Sequence, residues 1–173
     1  MMKKLLTTIS LALTLCLSLT TVFAAPSINK NGAVKKDSIL INGEKVDANT
    51  TAAFDSKKET YSAAGVSDET IDVIEKVNAN PSQLASLIKG VDLSGYSLLT
   101  EFQDLSVYVN GELKQKVKNV TLTWEVPNLV KTAKNVKVLH YSTERNTWEI
   151  LTPKSVDFDN KTITQEFKDL SPV

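Results

Sequence analysis

The sequence predicts a mostly β chain, an antiparallel β-sandwich carrying a small two-helix insert at about residues 67–89. Three observations carry this. From Leu98 onward apolar residues recur every second position, the period of a strand with one buried face. Turn-forming pairs interrupt that pattern at short intervals. Between 67 and 89 alone the period lengthens to that of an amphipathic helix.

At the N-terminus, Met1-Met2-Lys3-Lys4 is a short basic lead, and Leu5 to Phe23 is uncharged. Val22-Phe23-Ala24 supplies the small residues of a signal-peptidase site, so residues 1–24 read as a signal peptide cut before Ala25. Residues 25–60 read as a flexible segment with one short hairpin. There Ser38-Ile39-Leu40-Ile41 runs into Asn42-Gly43 and then Glu44-Lys45-Val46, and both turn residues tolerate positive φ. Asp47 to Ala64 holds too few large apolar residues to assign.

Residues 61–94 form the helical segment. Ser67 is placed to cap, and Asp68 and Glu69 suit the positive end of the helix dipole. Ile71, Ile74 and Val77 then fall on one face. Asn80-Pro81 ends this helix and opens a second, with Asn80 as its cap, Leu84, Leu87 and Ile88 as its apolar face and Gly90 as its stop. Residues 95–173 form the sandwich. Leu105, Val107 and Val109 alternate before Asn110-Gly111, and Val120, Leu122, Trp124 and Val126 alternate before Pro127. Val136 and Val138 start a strand that runs to Tyr141. Trp148 with Ile150, Val156 with Phe158, and Ile163 with Phe167 supply three more. Trp124 and Trp148 are the expected anchors of the core.

Composition excludes several classes. Hydrophobic residues at 42% and charged residues at 23% are ordinary for a globular chain. Removing the signal peptide leaves 18 basic against 20 acidic residues, with no basic stripe for a nucleic acid and no excess of cations for an anionic membrane surface. Cys16, the single cysteine, lies inside the signal peptide. The mature chain then has no disulfide, no thiol nucleophile and no cysteine ligand for a metal.

Three segments carry a resemblance. They are Asn119-Val120-Thr121-Leu122-Thr123-Trp124-Glu125-Val126-Pro127, then Val136-Lys137-Val138-Leu139-His140-Tyr141-Ser142 with Trp148-Glu149, then Phe167-Lys168-Asp169-Leu170-Ser171-Pro172-Val173. Over about residues 95–173 the chain resembles an immunoglobulin-like β-domain of secreted and surface proteins of gut-type Gram-positive anaerobes. The resemblance implies an Ig-like fold outside the cell and supplies no catalytic residues. The family pattern continues into an apolar run after "L-S-P-V" that is not found here.

Candidate chemistry is sparse. His140 is the only histidine; it lies in an apolar strand, where packing is the commoner role, and no Gly-x-Ser-x-Gly accompanies it. Asp68, Glu69, Asp72 and Glu75 share a helix, usually as a solvated face. Asp157 and Asp159 faintly suggest a calcium loop, but the required glycine is replaced by Thr162. Trp124, Tyr141 and Trp148 would make a sugar-stacking platform if exposed and core if not; Tyr96 and Tyr108 are less constrained. The sequons at Asn49, Asn119 and Asn160 matter only in a eukaryotic secretory pathway. The expectation is an exported, secreted or surface-bound, non-catalytic module. It has no cofactor, no catalytic or metal-binding residues to nominate, and a protein or glycan partner. The alternatives are a carbohydrate- or cell-wall-binding module and, less favoured, a carboxylate-dependent hydrolase with two acids facing one pocket.

Overall fold

A computed structural model describes residues 28–114 and 117–170. The expected signal peptide and the terminal Ser171-Pro172-Val173 lie outside the described residues. The chain is mostly β, with antiparallel sheets and a few short helices in the arrangement of a β-sandwich with a small helical insert.

The larger sheet is built on two long central strands, β6 (Lys118–Glu125) and β10 (Thr162–Asp169). They pair antiparallel with Ile163 opposite Trp124, Gln165 opposite Leu122 and Phe167 opposite Val120. That register puts every large apolar side chain of both strands on one face, where a slip by one residue would turn them to solvent. The hairpin β1 (Leu40–Ile41) and β2 (Glu44–Lys45) extends the sheet on the β6 side, and β9 (Ser155–Asp157) extends it on the β10 side. Asn42 and Gly43 take φ of 52° and 81°, as a two-residue turn of matching twist demands. The sequence therefore places this hairpin correctly.

Residues 28–60 do more than the expected hairpin, and they are tied into the sandwich rather than standing apart from it. β3 (Thr50–Asp55) pairs along its whole length with β4 (Asp104–Val109), which in turn pairs with β5 (Glu112–Lys114) across Asn110-Gly111. The stretch 32–35 adds a further edge to β6: Gly32 N donates to Glu125 O at 2.8 Å and Lys35 N to Thr123 O at 2.8 Å. A Cβ at Gly32 would lie 2.6 Å from the Glu125 Cβ, so the close approach itself requires glycine.

Two cores result. The sandwich core joins Leu105 and Val107 of β4 to Val120, Leu122 and Trp124 of β6 and to Ile163 and Phe167 of β10. Phe54 of β3 meets the Trp124 ring at 5.9 Å, which is how the three-stranded sheet covers the larger one. The second core belongs to α1 (Lys58–Ala63), α2 (Asp68–Ala79) and α3 (Leu84–Leu87), through Tyr61, Ile71, Ile74, Val77 and Leu84. Ser67 caps α2 as expected, its Oγ accepting from Thr70 N at 3.3 Å. Asn80 does not cap the next turn; its Oδ1 accepts instead from Ser82 Oγ, and a 3-10 turn at Pro81–Gln83 precedes the four-residue α3.

The hairpin β7 (Val138–Ser142) and β8 (Thr147–Leu151) lies between these cores. Period-two alternation sends Val138 and His140 to the sandwich and Leu139, Tyr141, Trp148 and Ile150 to the helices. β7 begins at Val138, two residues later than Val136. Of the two expected anchors, Trp124 is fully buried in the sandwich, whereas half-buried Trp148 packs against Phe102 and Tyr141 at the helical interface.

Candidate functional site

The helices do not seal onto the sandwich everywhere, and the seam holds a cavity of about 260 Å³. Leu84, Leu93 and Phe102 wall it from the helical side, Trp124 and Val126 from the sandwich, and Leu139 and Ile150 from the central hairpin. Polar groups sit at its edges. The Trp124 indole Nε1 donates to Asn31 Oδ1 at 3.0 Å, and Asn31 N donates to the buried Gln103 Oε1 at 2.6 Å. Asn135 Nδ2 donates to Tyr96 Oη at 2.6 Å between two loops that line the cavity. Lys134 and Lys137 also line it, and among the described residues no aspartate or glutamate does.

Phe102 is fixed here by its backbone. Its N–H donates to Asn78 Oδ1 at 2.8 Å, and its carbonyl accepts from Asn78 Nδ2 at 3.0 Å and from Tyr61 Oη at 2.8 Å. Burial, followed by the charge of Asp104, pushes the Tyr61 hydroxyl well above its ordinary pKa, so it stays a donor.

A second cavity, about 210 Å³, lies beside β4 and is lined by Asp104, Ser106, Glu144 and Asp169. Asp104 is 2% exposed. Its Oδ2 accepts from Ser106 Oγ at 2.7 Å, while Oδ1 has no hydrogen-bond partner among the described residues. Burial outweighs the Ser106 hydrogen bond and pushes this carboxyl up to about 6, with Asp55 adding to the rise. Asp169 is the opposite case. Oδ2 accepts from Ser142 Oγ at 2.8 Å and Oδ1 from Arg145 Nη2 at 2.8 Å. Burial alone would raise Asp169; Ser142, His140 and Arg145 together hold it below the usual range.

Arg145 also forks onto Glu149, with Nε to Oε1 at 2.7 Å and Nη2 to Oε2 at 3.0 Å. His140, 1% exposed, sets its Nδ1 3.6 Å from Glu149 Oε2 and its ring 5.4 Å from Phe167. Burial lowers its pKa despite the nearby Asp169 and Glu149. The arrangement contains a serine, a histidine and an aspartate, but the Ser142 hydroxyl is given to Asp169, and neither Ser142 nor His140 reaches solvent. A nucleophile needs its base within reach and its substrate alongside; this network instead ties β7, β8 and β10 together.

The remaining candidates fall apart in space. Asp68, Glu69, Asp72 and Glu75 are exposed along α2. Asp157 accepts from Asp159 N, Asn160 N and Asn160 Nδ2, an Asx turn that closes the β9–β10 loop. Asp159 pairs with Lys131. Among the described residues no group of three or more His, Cys, Asp or Glu is arranged to hold a metal ion, and no helix is long and apolar enough to cross a membrane. Trp124, Tyr141 and Trp148 do not share a surface: Tyr141 and Trp148 meet edge to face at 5.1 Å beneath the helices, and Trp124 is buried in the sandwich.

Sequence reasoning missed Asn31, Asn78, Asp104, Arg145 and Asp169. Asp169 falls in phase with the inward Ile163 and Phe167, and that break in apolar alternation could have marked it. Asp104 falls out of phase with the inward Leu105 and Val107, where a polar residue is expected, so alternation could not have marked it. No family model, no curated protein and no solved structure matches the chain.

Proposed function

We propose that this chain is an exported, non-catalytic Ig-like β-sandwich module whose work is binding, and that the seam cavity is its ligand site. One observation carries the reading: the cavity joins an apolar interior to a few polar groups at the rim, the usual make-up of a small-molecule site. Export and the Ig-like assignment rest on the N-terminal sequence and the three resembling segments. A glycan-stacking role is less well supported, because the Tyr141 and Trp148 faces are spent on each other and on Phe102. Titrating the purified chain with apolar small molecules, glycans and cell-wall fragments, followed by tryptophan emission, tests this. Trp124 lines the cavity, so a saturable shift with a small apolar ligand supports the reading. A shift with a polysaccharide alone replaces it with the glycan module.

The acidic cavity favours a second reading, a carboxylate-dependent hydrolase with Asp104 as proton donor. It brings together three acids, Asp104, Glu144 and Asp169, the first of them raised toward neutrality, as such chemistry requires. Both Asp169 oxygens are already hydrogen-bonded and Glu144 Oε1 is paired with Lys118 Nζ at 2.7 Å, which argues against either as the base or nucleophile. Turnover of a glycoside or ester panel that disappears in Asp104→Asn would promote this reading over the first.

A further inference from the structure

We infer that the seam cavity takes a small monocarboxylate with an apolar body, an aryl or medium-chain acyl carboxylate, held with its anionic head at Lys134 and Lys137. This rests on the binding reading above and adds the ligand class. Three features of the cavity select it.

The first is size. At about 260 Å³ the cavity exceeds the roughly 150 Å³ void that admits benzene and falls below the roughly 300 Å³ at which sites for drug-sized ligands begin. A single ring or a chain of about eight to ten carbons is the scale that fits, and an oligosaccharide or peptide is not.

The second is the wall. Leu84, Leu93, Phe102, Val126, Leu139 and Ile150 offer no hydrogen bond to a polar body, so burying hydroxyls there would leave them unpaired at a cost that sugars cannot recover.

The third is charge. The only ionisable side chains on the lining among the described residues, besides Tyr96, are two lysines. Among the described residues neither is paired with a carboxylate: Lys137 Nζ donates to the neutral Thr152 Oγ1 at 2.7 Å, and Lys134 is exposed. Neither ammonium is therefore countered by a carboxylate among the described residues. An anion at the rim gains from both, and a cation is repelled by both.

The test compares decanoate, decanol and decyltrimethylammonium, each below its micellar concentration, by calorimetry and by emission of a Trp148→Phe variant in which Trp124 is the sole indole. Decanoate is expected to bind best and the ammonium analogue worst. Lys134→Gln/Lys137→Gln is expected to weaken decanoate about tenfold while leaving decanol unchanged. Ala133→Phe, which fills the cavity from its lining, is expected to abolish both. Decanoate and decanol binding equally well to the wild-type chain would overturn the anionic-head assignment and leave the binding module standing. So would a decanoate affinity unmoved by the lysine changes. Failure of all three ligands to bind a cooperatively folded sample would overturn the cavity as a binding site altogether.

Discussion

The two cavities are close in volume, about 260 and 210 Å³, and differ in the charge on their linings. Both are walled mainly by apolar side chains; among the described residues the seam cavity adds two lysines and no carboxylate, and the cavity beside β4 adds Asp104, Glu144 and Asp169 with one lysine, Lys114. What differs is which positions supply the wall. Around the seam the inward residues obey the hydrophobic alternation, and polarity is confined to loops. Beside β4 the two acids come from different kinds of position: Asp169 falls in phase with the core-facing Ile163 and Phe167 of β10, whereas Asp104 lies on the face of β4 opposite Leu105 and Val107, which is buried too. The lesson is that a carboxylate at a core position needs neighbours to stay ionised. Asp169 has Arg145 and Ser142, which help hold its carboxyl below the usual range; Asp104 has one hydroxyl, and burial pushes its carboxyl up to about 6.

The largest way to break this contrast is to empty the seam wall. Phe102 is 2% exposed, and Phe102→Ala should cost about 3–5 kcal/mol in denaturant unfolding. A cost below about 1 kcal/mol would mean that the helices are not packed on it.

The acidic side is sharpened by titration. An acid whose native pKa lies above its unfolded value binds more protons native than unfolded between the two, so stability falls as pH rises through that window. For Asp104 the window runs from about 4 to about 6. Asp104→Asn should therefore remove of order 2–3 kcal/mol of destabilisation that the wild-type chain acquires by pH 7. The difference between the two proteins is the quantity to measure, because buried His140 acts in the opposite sense, losing stability as pH falls below about 6.5. A difference that stays flat from pH 4 to 7 would show Asp104 to be solvated.

Gly32→Ala should cost about 1–3 kcal/mol, since the new methyl meets the Glu125 side chain and backbone. It should also shift Trp124 emission, because neighbouring Asn31 holds the indole N–H. Unchanged stability would mean that the 32–35 edge moves freely off β6.

The smallest effect is on the helical roof of the seam. Ser67→Ala removes the cap of α2 and should cost about 1 kcal/mol, read as a small drop in thermal midpoint.

Much of the fold was legible because it is written in local rules. The alternation through Val120, Leu122 and Trp124, the Asn-Gly turns at 42–43 and 110–111 and the Ser67 cap each need only neighbours in sequence. β3 was not legible, because Ala52 and Ala53 give a weak alternation and its partner β4 begins some fifty residues later. The cavities were not legible at all. Asn31, Trp124 and Lys137 line one wall from three distant segments, and no spacing rule connects them.

By itself, then, the sequence determined the β class, the position of the helical insert and the turns, since period and backbone dihedral preference act over a few residues. The tertiary structure alone decided that the β7–β8 hairpin is buried on both faces, which turned Tyr141 and Trp148 from a candidate platform into packing. It also decided that His140 and Ser142 serve an ion-pair network, and that the helices leave a lysine-edged cavity against the sandwich. Each of these depends on which faces meet, and the charges and volumes at such meetings are sums over segments that sequence order keeps apart.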